Sequence, residues 1–171
     1  MSDPKSDDPL SLVYEGLWKL VEDFEPFKDA VREGNRIRLD GRSRNPMKAN
    51  VQAADLPEVI LHPQGGESNL HANSSESRLT RRFAFLISTG DMRIDYLHFP
   101  LQWHVLRALT NWKEKIGELA WKGHAFLVDV NMPDTQEGES DPDRNRNIKG
   151  WSSIVTIETV MEFPTKLLRT P

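Results

Sequence analysis

The stretch from Leu79 to Ile116 constrains the fold more than any other part of the chain. At its centre is RRFAFLISTG, in which Phe83, Phe85 and Ile87 alternate with Ala84 and Leu86. A strand that is apolar on both sides demands cover on both faces. The turn DMRID follows, and the segment after it carries Leu97, Leu101, Val105, Ala108, Leu109, Trp112 and Ile116. Those residues recur at spacings of three and four, so they draw one apolar stripe along what reads as the longest helix. Such a helix supplies part of the cover that the strand needs.

The rest of the chain adds strands and a second helix to this unit. Asp8 before Pro9 is a helix start, because the carboxylate accepts from free backbone N–H groups and proline at the first position loses no bond. Leu10, Val13, Tyr14, Leu17, Leu20, Val21 and Phe24 then keep helical phase as far as Pro26. Phe27, Ala30 and Val31 add a short tail that ends at Gly34. Trp18 lies off the centre of the stripe. Strands are predicted at Arg36–Leu39, Glu58–His62, the central segment, Ala125–Asn131 and Trp151–Phe163. The last is long enough to outreach the sheet or to bend at a bulge.

The expected fold class is therefore α+β: a largely antiparallel sheet of about five strands with two helices packed on it. The domain spans residues 10–163, with a disordered N-terminus over 1–9 and a C-terminal tail over 164–171. Two polar stretches, 64–78 and 132–149, hold few apolar residues and are expected to be mobile loops.

Composition narrows the chemistry. The chain has 171 residues and no cysteine, which removes disulfides, thiolate metal sites and cysteine nucleophiles. The net charge of -4 argues against general phosphate-driven nucleic-acid binding. No apolar run reaches the ~18 residues of a membrane span, and the acidic start is unlike a signal peptide. An intracellular protein without membrane contact is expected. Arg36, Arg38, Arg42, Arg44 and Lys48 nonetheless form a local basic segment. It reads as a solvated strand edge, or as a docking surface for an acidic partner or a DNA backbone.

No catalytic, metal-binding or cofactor constellation emerges. The five histidines lack metal-ligand spacing, Gly65-Gly66 lacks the lysine and helix of a phosphate loop, and no serine sits in a nucleophile elbow. Asp129 and Asn131 at a strand end, followed by Asp134, are the nearest approach to a magnesium site, with Lys122 and Lys149 as companions by sequence proximity. Trp103, Trp112, Trp121 and Trp151 serve as core or interface, and Trp18 suggests an oligomer surface.

The order of elements carries a resemblance. A helix opens the chain, a strand leads into ADLPEVILHP, a polar loop follows, RRFAFLISTGD runs into a leucine-bearing helix, and the chain closes on GWSSIVTIETVMEFP. Residues 10–163 resemble the tail terminator and tail-completion proteins of long-tailed bacteriophages and related neck proteins. The loop over 132–149 is longer than in their compact members. The resemblance implies a virion assembly protein, made in the host cytoplasm, with no catalytic role and no cofactor. It would form a ring, expected to be hexameric, that caps the tail tube and joins it to the neck connector, with DNA passing through the lumen without specific binding. Ring contacts are head-to-tail, so two different patches must fit each other. The basic residues Arg36, Arg38, Arg42, Arg44 and Lys48 and the acidic Asp134, Glu137, Glu139, Asp141 and Asp143 are candidates, with Trp18 as an apolar contact. The rival readings are a small metal-dependent hydrolase or nuclease centred on Asp129, and a monomeric adaptor that binds a peptide along the edge at Arg36–Leu39.

Overall fold

A computed structural model describes residues 8–38, 52–70, 75–139 and 149–169. Helix α1 (Pro9–Glu22) begins as the sequence predicts, with the Asp8 carboxylate accepting from the Ser11 N–H at 2.9 Å. Pro26 does more than end it. It sits in the first turn of a separate short helix, α2 (Glu25–Ala30), where a missing N–H costs nothing. Helix α3 (Phe99–Leu109) and the single turn α4 (Trp112–Lys115) complete the α-helices among the described residues. The one long helix predicted here is thus divided, and α1 is longer than α3. A π-turn over Ile94–His98 leads into α3.

Among the described residues the sheet has six strands: β1 (Arg36–Arg38), β2 (Glu58–Asn69), β3 (Glu76–Thr89), β4 (Glu118–Trp121), β5 (His124–Glu139) and β6 (Trp151–Pro164). Their spatial order is β1-β2-β3-β6-β5-β4. Every pair is antiparallel except β1 with β2, which is parallel. The α+β class stands, and the sheet is mixed. The strand missing from the sequence reading is β4, only four residues long. It is joined to β5 by Lys122 and Gly123, both with positive φ (49° and 77°), the backbone of a two-residue hairpin turn.

The predicted mobile stretches are partly strand. Residues 64–69 extend β2, paired with β3 from Gly65↔Arg82 to Asn69↔Arg78 after a bulge at Pro63/Gly65. Residues 132–139 extend β5, paired with β6 up to Glu139↔Trp151 after a bulge between Asn131 and Asp134. Side-chain composition undercounts such arms, because the backbone ladder holds them without an apolar face. The long β6 neither overhangs nor breaks. It lies between strands at least as long as itself and pairs with β3 without interruption from Trp151 to Pro164. The expected tail is also tied down. Thr165–Arg169 forms a 3-10 turn, Leu167 is buried, and Thr165 Oγ1 lies 2.8 Å from Ser77 Oγ.

One continuous core lies between the helices and the face of the sheet that carries Phe83, Phe85, Ile87, Val155, Ile157 and Phe126. Val13, Leu17, Leu101, Val105 and Leu109 fill it from α1 and α3. On the second face Ile37, Ile60 and Ala84 are buried, whereas Leu86, Ile154 and Val160 are half-buried.

Candidate assembly surfaces

Register across the sheet locates the charged segments that the sequence singles out. One row runs Arg36–Val59–Ile87–Ser153–Glu137, and a second runs Arg38–Leu61–Phe85–Val155–Thr135. Arg36 and Arg38 on one side, and Asp134, Glu137 and Glu139 on the other, therefore lie at opposite edges of the same end of the sheet. Four strand spacings, roughly 19 Å, separate them. Arg42, Arg44, Lys48, Asp141 and Asp143 lie outside the described residues.

Arg36 is committed within the chain. Its Nε donates to Val31 O at 2.8 Å, its Nη2 donates to Lys28 O at 2.9 Å, and its guanidinium lies 5.9 Å from the centroid of the Phe27 ring. These bonds satisfy carbonyls at the end of α2, where helix geometry leaves them open. Replacing Arg36 with lysine loses the planar fork and is expected to cost about 1–2 kcal/mol, measured by urea unfolding. An unchanged midpoint would remove this role. Arg38 is half-buried on the same short strand.

The acidic edge differs. Every residue from Pro133 to Glu139 is exposed, and no described strand pairs with the outer edge of β5 beyond Leu127. The Asp134 carboxylate accepts from Gln136 Nε2 at 2.9 Å, while Glu137 and Glu139 stand in solvent. This is a long, accessible edge of the kind that pairs with another chain unless charge or bulges prevent it.

Trp18 is not on a surface. It is 3% exposed and belongs to the core. The buried arc of α1 is wider than one stripe because the helix meets α2, α3 and α4 as well as the sheet, where Tyr14 packs against Phe83.

The exposed aromatic surface lies elsewhere. Met92, Tyr96, Phe99 and Trp103 are 47%, 65%, 42% and 59% exposed: Met92 just before the π-turn, Tyr96 in it, and Phe99 and Trp103 on the outer side of α3. Arg93 lies 4.1 Å from the centroid of the Tyr96 ring and donates to both carboxylate oxygens of Asp91, at 3.0 and 2.7 Å. Those bonds, with the Arg93 backbone N–H, lower the Asp91 carboxyl to about 2. The Trp151 indole donates to Met92 O at 2.9 Å and anchors the turn to β6. The signal for this surface was in the sequence: Tyr96, Phe99 and Trp103 are spaced by three and four, off the Leu101–Val105 stripe.

Beneath it sits a buried polar group. His98 Nδ1 is 3.0 Å from Thr89 Oγ1, and His98 Nε2 has no partner among the described residues. Ser153 Oγ, on the neighbouring strand and also buried, has none either. Burial pushes the His98 pKa down, and the Glu137 carboxylate opposes that shift.

On the second face of the sheet, Asp129 shares a cleft of about 560 Å³ with Arg78, Lys113, Glu118, Leu127 and Glu162. Asp129 Oδ1 accepts from the N–H of Val130 at 3.0 Å. Lys122 lies over the Trp121 ring. Among the described residues, no three His, Asp or Glu side chains gather in a way that could hold a metal ion. No described helix is long and apolar enough to cross a membrane. In comparison with known proteins, the chain matches no family model and no curated protein sequence.

Proposed function

We propose that this protein is a structural subunit that self-associates head to tail, in the manner of the tail terminator and tail-completion proteins that it resembles. In that role it forms a ring, hexameric by the same likeness, that caps a phage tail tube and meets the neck connector. DNA passes through the lumen without specific contact. The protein performs no bond-making step and needs no cofactor. Its place is the virion neck, after assembly in the host cytoplasm.

The observation that carries this reading is the open, acidic edge of β5, set across the sheet from the arginine-bearing β1. An edge strand with free backbone groups and three carboxylates on one short stretch is a surface with a definite counterpart: a cationic one on the next copy. A head-to-tail contact needs two unlike surfaces, and at this end of the sheet β1 and the arm of β5 that β4 does not reach are two unlike edges.

The test is triple charge reversal, Asp134→Lys with Glu137→Lys and Glu139→Lys. The three residues are exposed, so the monomer should keep its unfolding midpoint. Exposed pairs contribute about 0.2–1 kcal/mol each, so association should weaken roughly tenfold or more at low salt, with a smaller effect at high salt. Mass photometry or light scattering reads the size. An assembly of unchanged mass and stability in the reversed variant counts against the reading.

A further inference from the structure

We infer that the aromatic side of α3 is a second contact between copies of this chain: a two-fold contact in which α3 packs against α3 of a second copy. The inference goes beyond the head-to-tail reading and does not depend on it.

Scattered exposed apolar residues are ordinary, but half of the eight large hydrophobic side chains exposed among the described residues fall between Met92 and Trp103. At these exposures they leave roughly 450 Å² of mostly apolar surface in one place, taking ~200 Å² for a large side chain. That matches the largest patch on an ordinary monomer, a patch that is often functional. It also supplies about half of the ~800 Å² that each partner brings to a stable interface. Neighbouring Pro100 and Arg107, both exposed, extend the patch along the helix. Tryptophan, tyrosine, methionine and arginine are the residue types that interface centres favour.

Charge selects the occupant. A two-fold contact sets a patch against itself, so the patch must contain its own complement. In this one the charges cancel: Asp91 is bonded to Arg93 in the same chain, and Asp95 and Arg107 are one of each sign, so a second copy meets no net repulsion. The β5 edge cannot play that part, because its carboxylates would face one another. A strongly charged foreign partner finds no excess of either sign on the α3 surface. The bond from Trp151 to Met92 O ties the segment that leads into the π-turn to β6, and Tyr96 and Phe99 stand on the regular backbone of that turn and of the start of α3. Little ordering is then left for association to require.

The absence of cysteine makes the test clean. Pro100→Cys places a single thiol within the patch, and Glu139→Cys places one on the β5 edge. Treated with a short bis-maleimide, the Pro100→Cys protein should yield mainly a self-linked dimer, and the Glu139→Cys protein should not. Adding Trp103→Ala should abolish the link and weaken dimerisation about 30-fold in sedimentation equilibrium, as expected for a central tryptophan. Circular dichroism confirms the fold of each variant, and Arg107→Cys replaces Pro100→Cys if that variant is misfolded. A monomeric wild type, a folded patch variant that does not link to itself, or a dimerisation constant unmoved by Trp103→Ala would each overturn the inference. Failure of the head-to-tail reading shows separately, as insensitivity to charge reversal on β5.

Discussion

Replacing Trp18 with alanine is expected to remove about 3–5 kcal/mol from the stability of the monomer and to leave its association unchanged. The indole is 3% exposed and sits in the core where α1 lies over the sheet. Truncation loses the transfer free energy of a large side chain and leaves a cavity that close-packed neighbours fill only in part. For a domain of this size each kilocalorie per mole moves the thermal midpoint by roughly 2–4 °C, so a fall of about 6–20 °C should follow. Had Trp18 been a contact with another subunit, the same substitution would change stability by less than about 0.5 kcal/mol and shift the oligomer equilibrium instead. Urea unfolding and light scattering on one preparation separate these outcomes. A small stability change with a large change in mass would return Trp18 to the surface.

Acidification gives the second large effect. His98 is fully buried, and burial holds its folded pKa below the ordinary 6.5, with Glu137 opposing in part. The unfolded chain then binds a proton that the folded chain resists. The stability contributed by neutral His98 is complete above about pH 6.5 and is lost as pH falls from there through the depressed folded value. His104, lowered by burial and by Arg107, adds in the same direction. Stability measured between pH 7 and 5 should therefore decline before most carboxylates titrate. In His98→Asn, whose amide can still meet Thr89 Oγ1 in place of Nδ1, the slope should shrink to the share left by His104. A variant with the wild-type slope would show that His98 is not the group responsible.

The two predictions rest on different kinds of information. The sequence exposed the phase of α1, its Asp8–Pro9 start, the apolar alternation of β3 and β6, and the acidic and basic segments. Those are local features, written in side-chain period and capping chemistry. It misplaced Trp18 because a helical stripe shows which residues share a side, not how many neighbours press on that helix. It missed β4 because four residues are too few to show a period, and it took the arms of β2 and β5 for loops. Arg36 was legible as a basic residue on a strand. Nothing local showed that its guanidinium closes the end of α2.

By itself, the sequence determined the class of the domain, the composition of its central strands, and the absence of thiol chemistry. These follow from alternation, phase and residue type, which act over a few positions. Only the tertiary structure decided that β6 inserts between β3 and β5 and that Arg36 and Arg38 lie at the edge opposite Asp134, Glu137 and Glu139. It also decided that Tyr96, Phe99 and Trp103 stay outside while Leu101 and Val105 go in. The reason is physical: ladder partners and covered faces are chosen by contacts between residues distant in the chain. Two stripes on one helix compete for the core, and the sheet has room for one.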